Sequence, residues 1–219
     1  MERPATRRYH HSPNTMRYRT TYAKTKSMRY TGHLDVQRTW ERTLRRARLP
    51  LAYTQGFNPR PKLTLAAALP LGFTSDCEMV EFYLDGDPPS DEVETRLREA
   101  APPGIAVQLV ETVASKAPKI PNLVKSTRYR VTLLEPASDL AARVDRLLEN
   151  ETLPRERRGK PYNLRPLIED LRVSESGTLE MQLTARPGAT GRPEEVLLAL
   201  GFDPLAARIH RSALLLEDT

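Results

Sequence analysis

Met16-Arg17-Tyr18-Arg19-Thr20-Thr21-Tyr22 places Tyr18, Thr20 and Tyr22 on one side of an extended chain and Arg17, Arg19 and Thr21 on the other. A period of two is the pattern of a strand with one buried face. After Gly32 the period changes. Val36, Trp40, Leu44 and Ala47 recur at helical spacing, Arg38, Arg42, Arg45 and Arg46 form a separate basic stripe, and Pro50 ends the helix. Residues 53–62 hold two prolines, a glycine and an asparagine, so they form a shaped loop. Residues 63–71 then read as a buried strand closed by Gly72 and residues 79–84 as another. A helix at 91–101, N-capped by Ser90, and a strand at 105–113 complete the unit.

That order is β-α-β-β-α-β, and it restarts beyond residues 115–125, which carry neither period and read as a linker. Tyr129, Val131 and Leu133 alternate as a strand, and residues 137–149 form a helix with Leu140, Val144, Leu147 and Leu148 inward. A basic stretch with Arg155, Arg157, Arg158 and Lys160 follows, then two strands, 167–174 and 178–185, meeting at Ser176-Gly177. A short helix begins at Pro193 and stops at Gly201, and residues 209–216 supply a last strand. The expected fold class is α+β: two tandem ferredoxin-like halves with antiparallel sheets, residues 16–114 and 126–219. Residues 1–15, with three arginines and no apolar period, are expected to be a disordered basic arm.

Composition narrows the functional classes. In 219 residues, 39% apolar and 28% charged content excludes a mostly disordered or fibrous chain. No apolar run reaches the roughly 20 residues that cross a bilayer, and a cytoplasmic location is expected. The single cysteine, Cys77, excludes an internal disulfide framework, a four-cysteine zinc site and a cysteine-held iron–sulfur cluster built from this chain alone. No Gly-rich phosphate loop, dinucleotide fingerprint, His-Glu-x-x-His or nucleophile elbow occurs. Charge is uneven: the first 60 residues carry fourteen Lys and Arg against Glu2, Asp35 and Glu41, a balance of +11, and leave −5 on the remainder of a chain of net +6. A clustered positive field attracts phosphates, which makes nucleic acid the expected partner of the N-terminal part.

Within that block Arg38, Arg42, Arg45 and Arg46 are candidate phosphate contacts. In the loop, Tyr53 and Phe57 could stack on bases, and Gln55, Asn58, Arg60 and Lys62 could reach phosphates or base edges. Arg165, with Arg157, Arg158 and Lys160 upstream, could extend the surface into the second half. His33, beside a helix N-terminus, could meet a phosphate or act as acid or base, and His33 and Tyr53 are the separate candidates for a catalytic residue. Trp40 is expected to be buried, Cys77 inert, His210 structural, and Arg192 with Pro193 a helix start. No metal site is expected.

Gly32-His33-Leu34-Asp35, Glu41-Arg42, Leu44-Arg45-Arg46-Ala47, the run from Gln55-Gly56-Phe57-Asn58-Pro59-Arg60-Pro61-Lys62 to Leu69-Pro70-Leu71-Gly72, Asn163-Leu164-Arg165-Pro166-Leu167-Ile168, Arg192-Pro193-Glu194-Glu195-Val196-Leu197 and His210-Arg211 resemble the radical-SAM-linked protein family. The likeness covers residues 16–216, and Asn163 stands where the family pattern carries an aspartate. The resemblance implies a bacterial accessory protein, encoded beside or fused to a cobalamin-binding radical SAM protein. That partner would carry an iron–sulfur cluster, S-adenosylmethionine and cobalamin, none held by this chain. The combined expectation is a non-enzymatic subunit that binds RNA, such as tRNA, in a basic cleft and presents it to that partner. Two alternatives stand beside it. The architecture is similar to that of metal-independent CRISPR repeat-processing endonucleases, in which a histidine or tyrosine assists attack by a 2′-hydroxyl, or the basic surface docks on protein alone.

Overall fold

In the computed structural model, which describes residues 15–217, β1 (Thr15–Lys24) turns Tyr18, Thr20 and Tyr22 into a core and begins a mixed α+β fold. It is followed by α1 (His33–Arg46), β2 (Leu63–Leu65), β3 (Thr74–Asp85), α2 (Ser90–Ala100) and β4 (Ile105–Val113). These strands lie in the order β4-β1-β3-β2 and all neighbours are antiparallel. Both helices cover one face, where Val36, Trp40, Leu44, Val93 and Leu97 close over Tyr18, Tyr22, Val80, Phe82 and Leu84. The ring of Tyr22 meets that of Trp40 edge-on, 4.8 Å between centroids.

The second half holds β5 (Val124–Leu133), α4 (Leu140–Leu148), β6 (Pro154–Arg157), β7 (Lys160–Asn163), β8 (Ile168–Val173), β9 (Leu179–Arg186), β10 (Ala189–Thr190), α5 (Pro193–Ala199) and β11 (Ala207–Leu216). Its main strands run β8-β9-β5-β11, again antiparallel. The basic stretch expected between helix and strand is a separate hairpin, β6–β7. The connector at 115–125 is packed rather than loose. It contains α3 (Ile120–Leu123), whose Ile120 is completely buried with Leu123, Val124 and Leu214, and Arg17 donates to the carbonyls of Ala114 (2.6 Å) and Ala117 (2.7 Å).

Three local expectations need correction. The strand expected at 63–71 stops at Leu65, because Ala66 and Leu69 leave the sheet to fill two other apolar clusters. The strand expected at 79–84 starts at Thr74, where Ser75 and Glu78 are both buried across a bulge that breaks the period of two. Ser90 is the first helical residue of α2, and Pro89 takes the cap position without a side-chain bond. The arm at 1–15 falls, except for Thr15, outside the described residues.

The halves share one nine-stranded sheet, because β11 pairs with β3 through His210↔Thr74 and Arg211↔Ser75, the one parallel ladder among the described strands. No helix of the described residues is long and apolar enough to cross a membrane.

Candidate functional site

The basic residues of β1 and α1 divide between the interior and the exposed surface of the helix. On β1, Arg17 is almost completely buried, 3.6 Å from Glu81, and Arg19 donates to the same carboxylate at 2.9 Å. Both lie on the sheet face away from α1 and are neutralised there. On α1, Arg38 pairs with Asp35 (3.0 Å), and Arg45 lies 3.9 Å from Glu41. Arg46 donates to the carbonyl of Ala100 at the C-terminal end of α2. Arg42 is exposed and makes no ion pair among the described residues. The expected convergence of these cations in one concavity is therefore not what the side chains form.

The loop at 53–62 is closed at its base and open at its tip. Tyr53 bridges to Pro61, Thr54 N–H donates to the Arg60 carbonyl at 2.8 Å, Arg60 N–H donates to Thr54 Oγ1 at 3.1 Å, and Lys62 N–H donates to the Ala52 carbonyl at 2.8 Å. Gly56, with φ of +125°, lets the chain reverse there. Gln55, Phe57, Asn58 and Arg60 are exposed, and Phe57 is as accessible as a free side chain, at 107%. Lys62 leaves this group: its Nζ sits 4.1 Å over the Tyr83 ring. Asp85 N–H donates to the Pro50 carbonyl at 2.7 Å, so the C-terminal end of α1, with Arg42, Arg45 and Arg46, occupies the same end of the sheet as the loop.

Arg165 lies in the other half. Its guanidinium donates to the carbonyls of Leu148 (3.4 Å) and Ile168 (3.5 Å), tying down the end of α4. Asn163 Oδ1 accepts from Leu153 N–H (2.8 Å) and Arg165 N–H (3.1 Å), a double acceptor role that an amide oxygen fills as well as a carboxylate would.

His33 and Tyr53 do not share a centre. Tyr53 follows Leu51, which bridges to Leu84, the partner of Met16, whereas His33 lies in the field of Glu78, the partner of Tyr22. Six residues of β1 separate these levels, about 20 Å of strand. His33 opens α1 and is half-buried; burial lowers its pKa, Glu78 opposes that, and Arg211 adds to it.

Beneath His33 is a buried polar cluster that sequence reasoning missed. Arg211 is 2% exposed and Glu78 3%. Arg211 Nη1 donates to both Glu78 oxygens (2.9 and 3.1 Å), and Nη2 donates to the Ala68 carbonyl (2.7 Å) and the Tyr129 hydroxyl (3.1 Å). Burial opposes the Arg211 charge, and Glu78 with Tyr129 outweighs it, so the guanidinium stays ionised. Lys24, also buried, donates from Nζ to the carbonyls of Phe73 (3.1 Å) and Arg29 (3.3 Å). On the opposite sheet face His210 joins Asp76 (Nε2–Oδ2 2.8 Å) and Thr74 (Nδ1–Oγ1 2.9 Å). Adjacent residues 210 and 211 thus fasten the two halves on both faces. The available signal was parity: Lys24 and Glu78 sit among apolar neighbours where a surface charge is out of place. Cys77 lies at the edge of this cluster, its thiol pushed up to about 11 chiefly by burial and so unreactive. Among the described residues no group of His, Cys, Asp and Glu could hold a metal ion.

The cluster gives a pH signature. Burial pulls the Lys24 ammonium from 10.5 down to about 8, against the opposing field of Glu78. Between those values the unfolded chain binds the extra proton, so this residue's destabilisation is complete below pH 8 and fades as pH rises toward 10.5. Urea midpoints measured from pH 7.5 to 10.5 should show that rising contribution. The same series on Lys24→Met should lack it, and parallel curves for the two proteins would refute the assignment.

Residues 17–193 match the model of a family described as uncharacterized and conserved in bacteria. No curated protein matches the sequence. Among solved structures, the crystal structure of an unknown protein from Galdieria sulphuraria aligns over 94% of this chain and 100% of its own, at 12% identity and a TM-score of 0.30, a likeness too slight to carry an argument.

Proposed function

The chain belongs to the family DUF2344 of uncharacterized conserved bacterial proteins, and we propose that it is a non-enzymatic module that binds single-stranded RNA and presents it to a partner enzyme. The observation that carries this reading is Phe57. A phenyl ring wholly in water at a loop tip serves no core, and beside Gln55, Asn58 and Arg60 it offers a stacking face with polar groups for base edges. Arg42 at the same end, without an ion pair among the described residues, adds a cation for the phosphate backbone. The strand orders β4-β1-β3-β2 and β8-β9-β5-β11 support reading the halves as two ferredoxin-like units. The resemblance to radical-SAM-linked proteins supports a cobalamin-binding radical SAM protein, in the cytoplasm, as the partner.

A specific observation favours a protein-docking contribution as well. Tyr30, Leu34 and Leu71 are 73%, 67% and 62% exposed, and the segments that carry them are tied by the Gly72 N–H to Arg29 carbonyl bond of 2.9 Å. His33 and Tyr53, the separate candidates of the endonuclease alternative, lie level with opposite ends of β1.

Fluorescence anisotropy with a labelled single-stranded oligoribonucleotide across a salt series tests the RNA reading. Phe57→Ala should weaken binding by 1–3 kcal/mol, roughly 5- to 150-fold. Arg42→Ala and Arg60→Ala should each reduce the salt slope by about 1. An affinity indifferent to all three substitutions would remove the proposal.

A further inference from the structure

The basic stretch of the second half builds a concavity that the RNA loop does not explain. β6 and β7 meet at Arg158 and Gly159, whose φ values of 52° and 75° are the pair of left-handed residues a tight two-residue hairpin requires. Glycine takes that conformation without cost, whereas an arginine there costs roughly 1–2 kcal/mol. The turn thus holds a long cation at its tip in a conformation that turn-forming residues such as Asn would adopt more cheaply.

The hairpin is braced against the rest of the half by Arg157. Its guanidinium donates to the Thr190 carbonyl (3.2 and 3.3 Å) and to Glu195 Oε1 (3.1 Å), and it stacks 4.9 Å from the Tyr162 ring centroid. Between the hairpin and the 188–192 segment lies a cleft of about 550 Å³, within the size range of small-ligand sites. Arg157, Arg158, Lys160 and Arg192 all line it, together with Tyr162, and no carboxylate of the described residues does. Glu195 occupies Arg157. Arg158, Lys160 and Arg192 make no ion pair among the described residues, and all three are exposed. Three uncompensated like charges around one concavity repel one another, and a bound anion converts that repulsion into attraction. Arginine matches the paired oxygens of a phosphate, lysine adds a point charge, and the Tyr162 hydroxyl, which accepts weakly from Arg157 at 3.4 Å, keeps its own proton to donate.

We propose that this cleft is a phosphate-binding site, built by Arg158, Lys160, Arg192 and Tyr162, for the phosphate group of a nucleotide. Arg157 is a positioning residue that holds the two walls together. The inference does not rest on the loop at 53–62, and Phe57→Ala should leave the site intact.

Calorimetric titration of the full chain at low salt tests it with three probes: inorganic phosphate, adenosine 5′-monophosphate, and an oligoribonucleotide with no terminal phosphate. Arg158→Ala and Arg192→Ala should each weaken binding about tenfold, the loss expected for one charge-assisted hydrogen bond. The Arg158→Ala, Lys160→Ala, Arg192→Ala triple variant should abolish it, and Arg158→Lys should recover part. Binding of the first two probes alone assigns the site to a free phosphate monoester, and displacement of adenosine monophosphate by the oligoribonucleotide assigns it to the RNA backbone. Wild type and triple variant binding all three probes equally, with both proteins folded by circular dichroism, would overturn the site. Loss of oligonucleotide binding in Phe57→Ala with phosphate binding retained would separate the two proposals.

Discussion

Arg211→Ala is expected to remove about 3–5 kcal/mol of folding stability, the range for breaking a buried ion pair from one side. The substitution leaves the Glu78 carboxylate 3% exposed and without its bidentate partner, and it also strips the hydrogen bonds to the Ala68 carbonyl and the Tyr129 hydroxyl. The loss arises mainly from the stranded partner rather than from the net value of the pair. Replacing both charges, as in Arg211→Met with Glu78→Leu, should therefore recover most of it. Urea unfolding followed by the fluorescence of Trp40, the single tryptophan, and by far-UV circular dichroism measures both variants. Since β3 and β11 belong to one sheet, the two probes should report a common transition although the substituted residue is in the other half. A loss below 1 kcal/mol for the single variant would show that the pair does not hold the seam.

Trp40→Ala should cost a similar amount, about 3–5 kcal/mol, by a different mechanism. Trp40 is 1% exposed and lies on α1 between Val36 and Leu44, with Tyr22 across the interface and Leu97 of α2 in the same cluster. Truncation removes an indole from a core whose walls are two helices and a sheet, elements that collapse poorly into the space. Trp40→Phe keeps most of the volume and should lose much less. Thermal denaturation by circular dichroism distinguishes them, at about 2–4 °C per kcal/mol for a domain of this length. Equal midpoints for the Ala and Phe variants would mean that the site relaxes around the void.

The parts of the fold written in local periodicity were legible in the sequence. Tyr18, Thr20 and Tyr22 alternate, Val36, Trp40 and Leu44 recur on one helical face, and both the strand and the helix lie where those patterns place them. The start of β3 was not legible, because a bulge puts Ser75 and Glu78 on the same buried side and no fixed period describes that stretch. The contact of β11 with β3 joins residues more than a hundred positions apart and leaves no local trace. The charge block was read correctly as composition but not as geometry. Arg17 and Arg19 alternate with the core residues of β1, and only the neighbouring strand shows that Glu81 waits opposite them. The loop at 53–62 was legible as a loop from its prolines and glycine, whereas the full exposure of Phe57 depends on how its base closes. Arg165 illustrates the converse: a basic residue beside a proline looks available, until its guanidinium is seen to be used on the carbonyls of Leu148 and Ile168.

The seam also orders events in time. Glu78 and Lys24 leave the ribosome long before Arg211, which follows Glu78 by 133 residues. During synthesis the first half can collapse around Trp40 while one carboxylate at its margin still lacks its counter-charge. Arrival of the closing strand supplies the guanidinium, and maturation of the early half is deferred until the late half is made. Prematurely terminated chains would expose that margin, with its unsatisfied strand edge, to proteolysis.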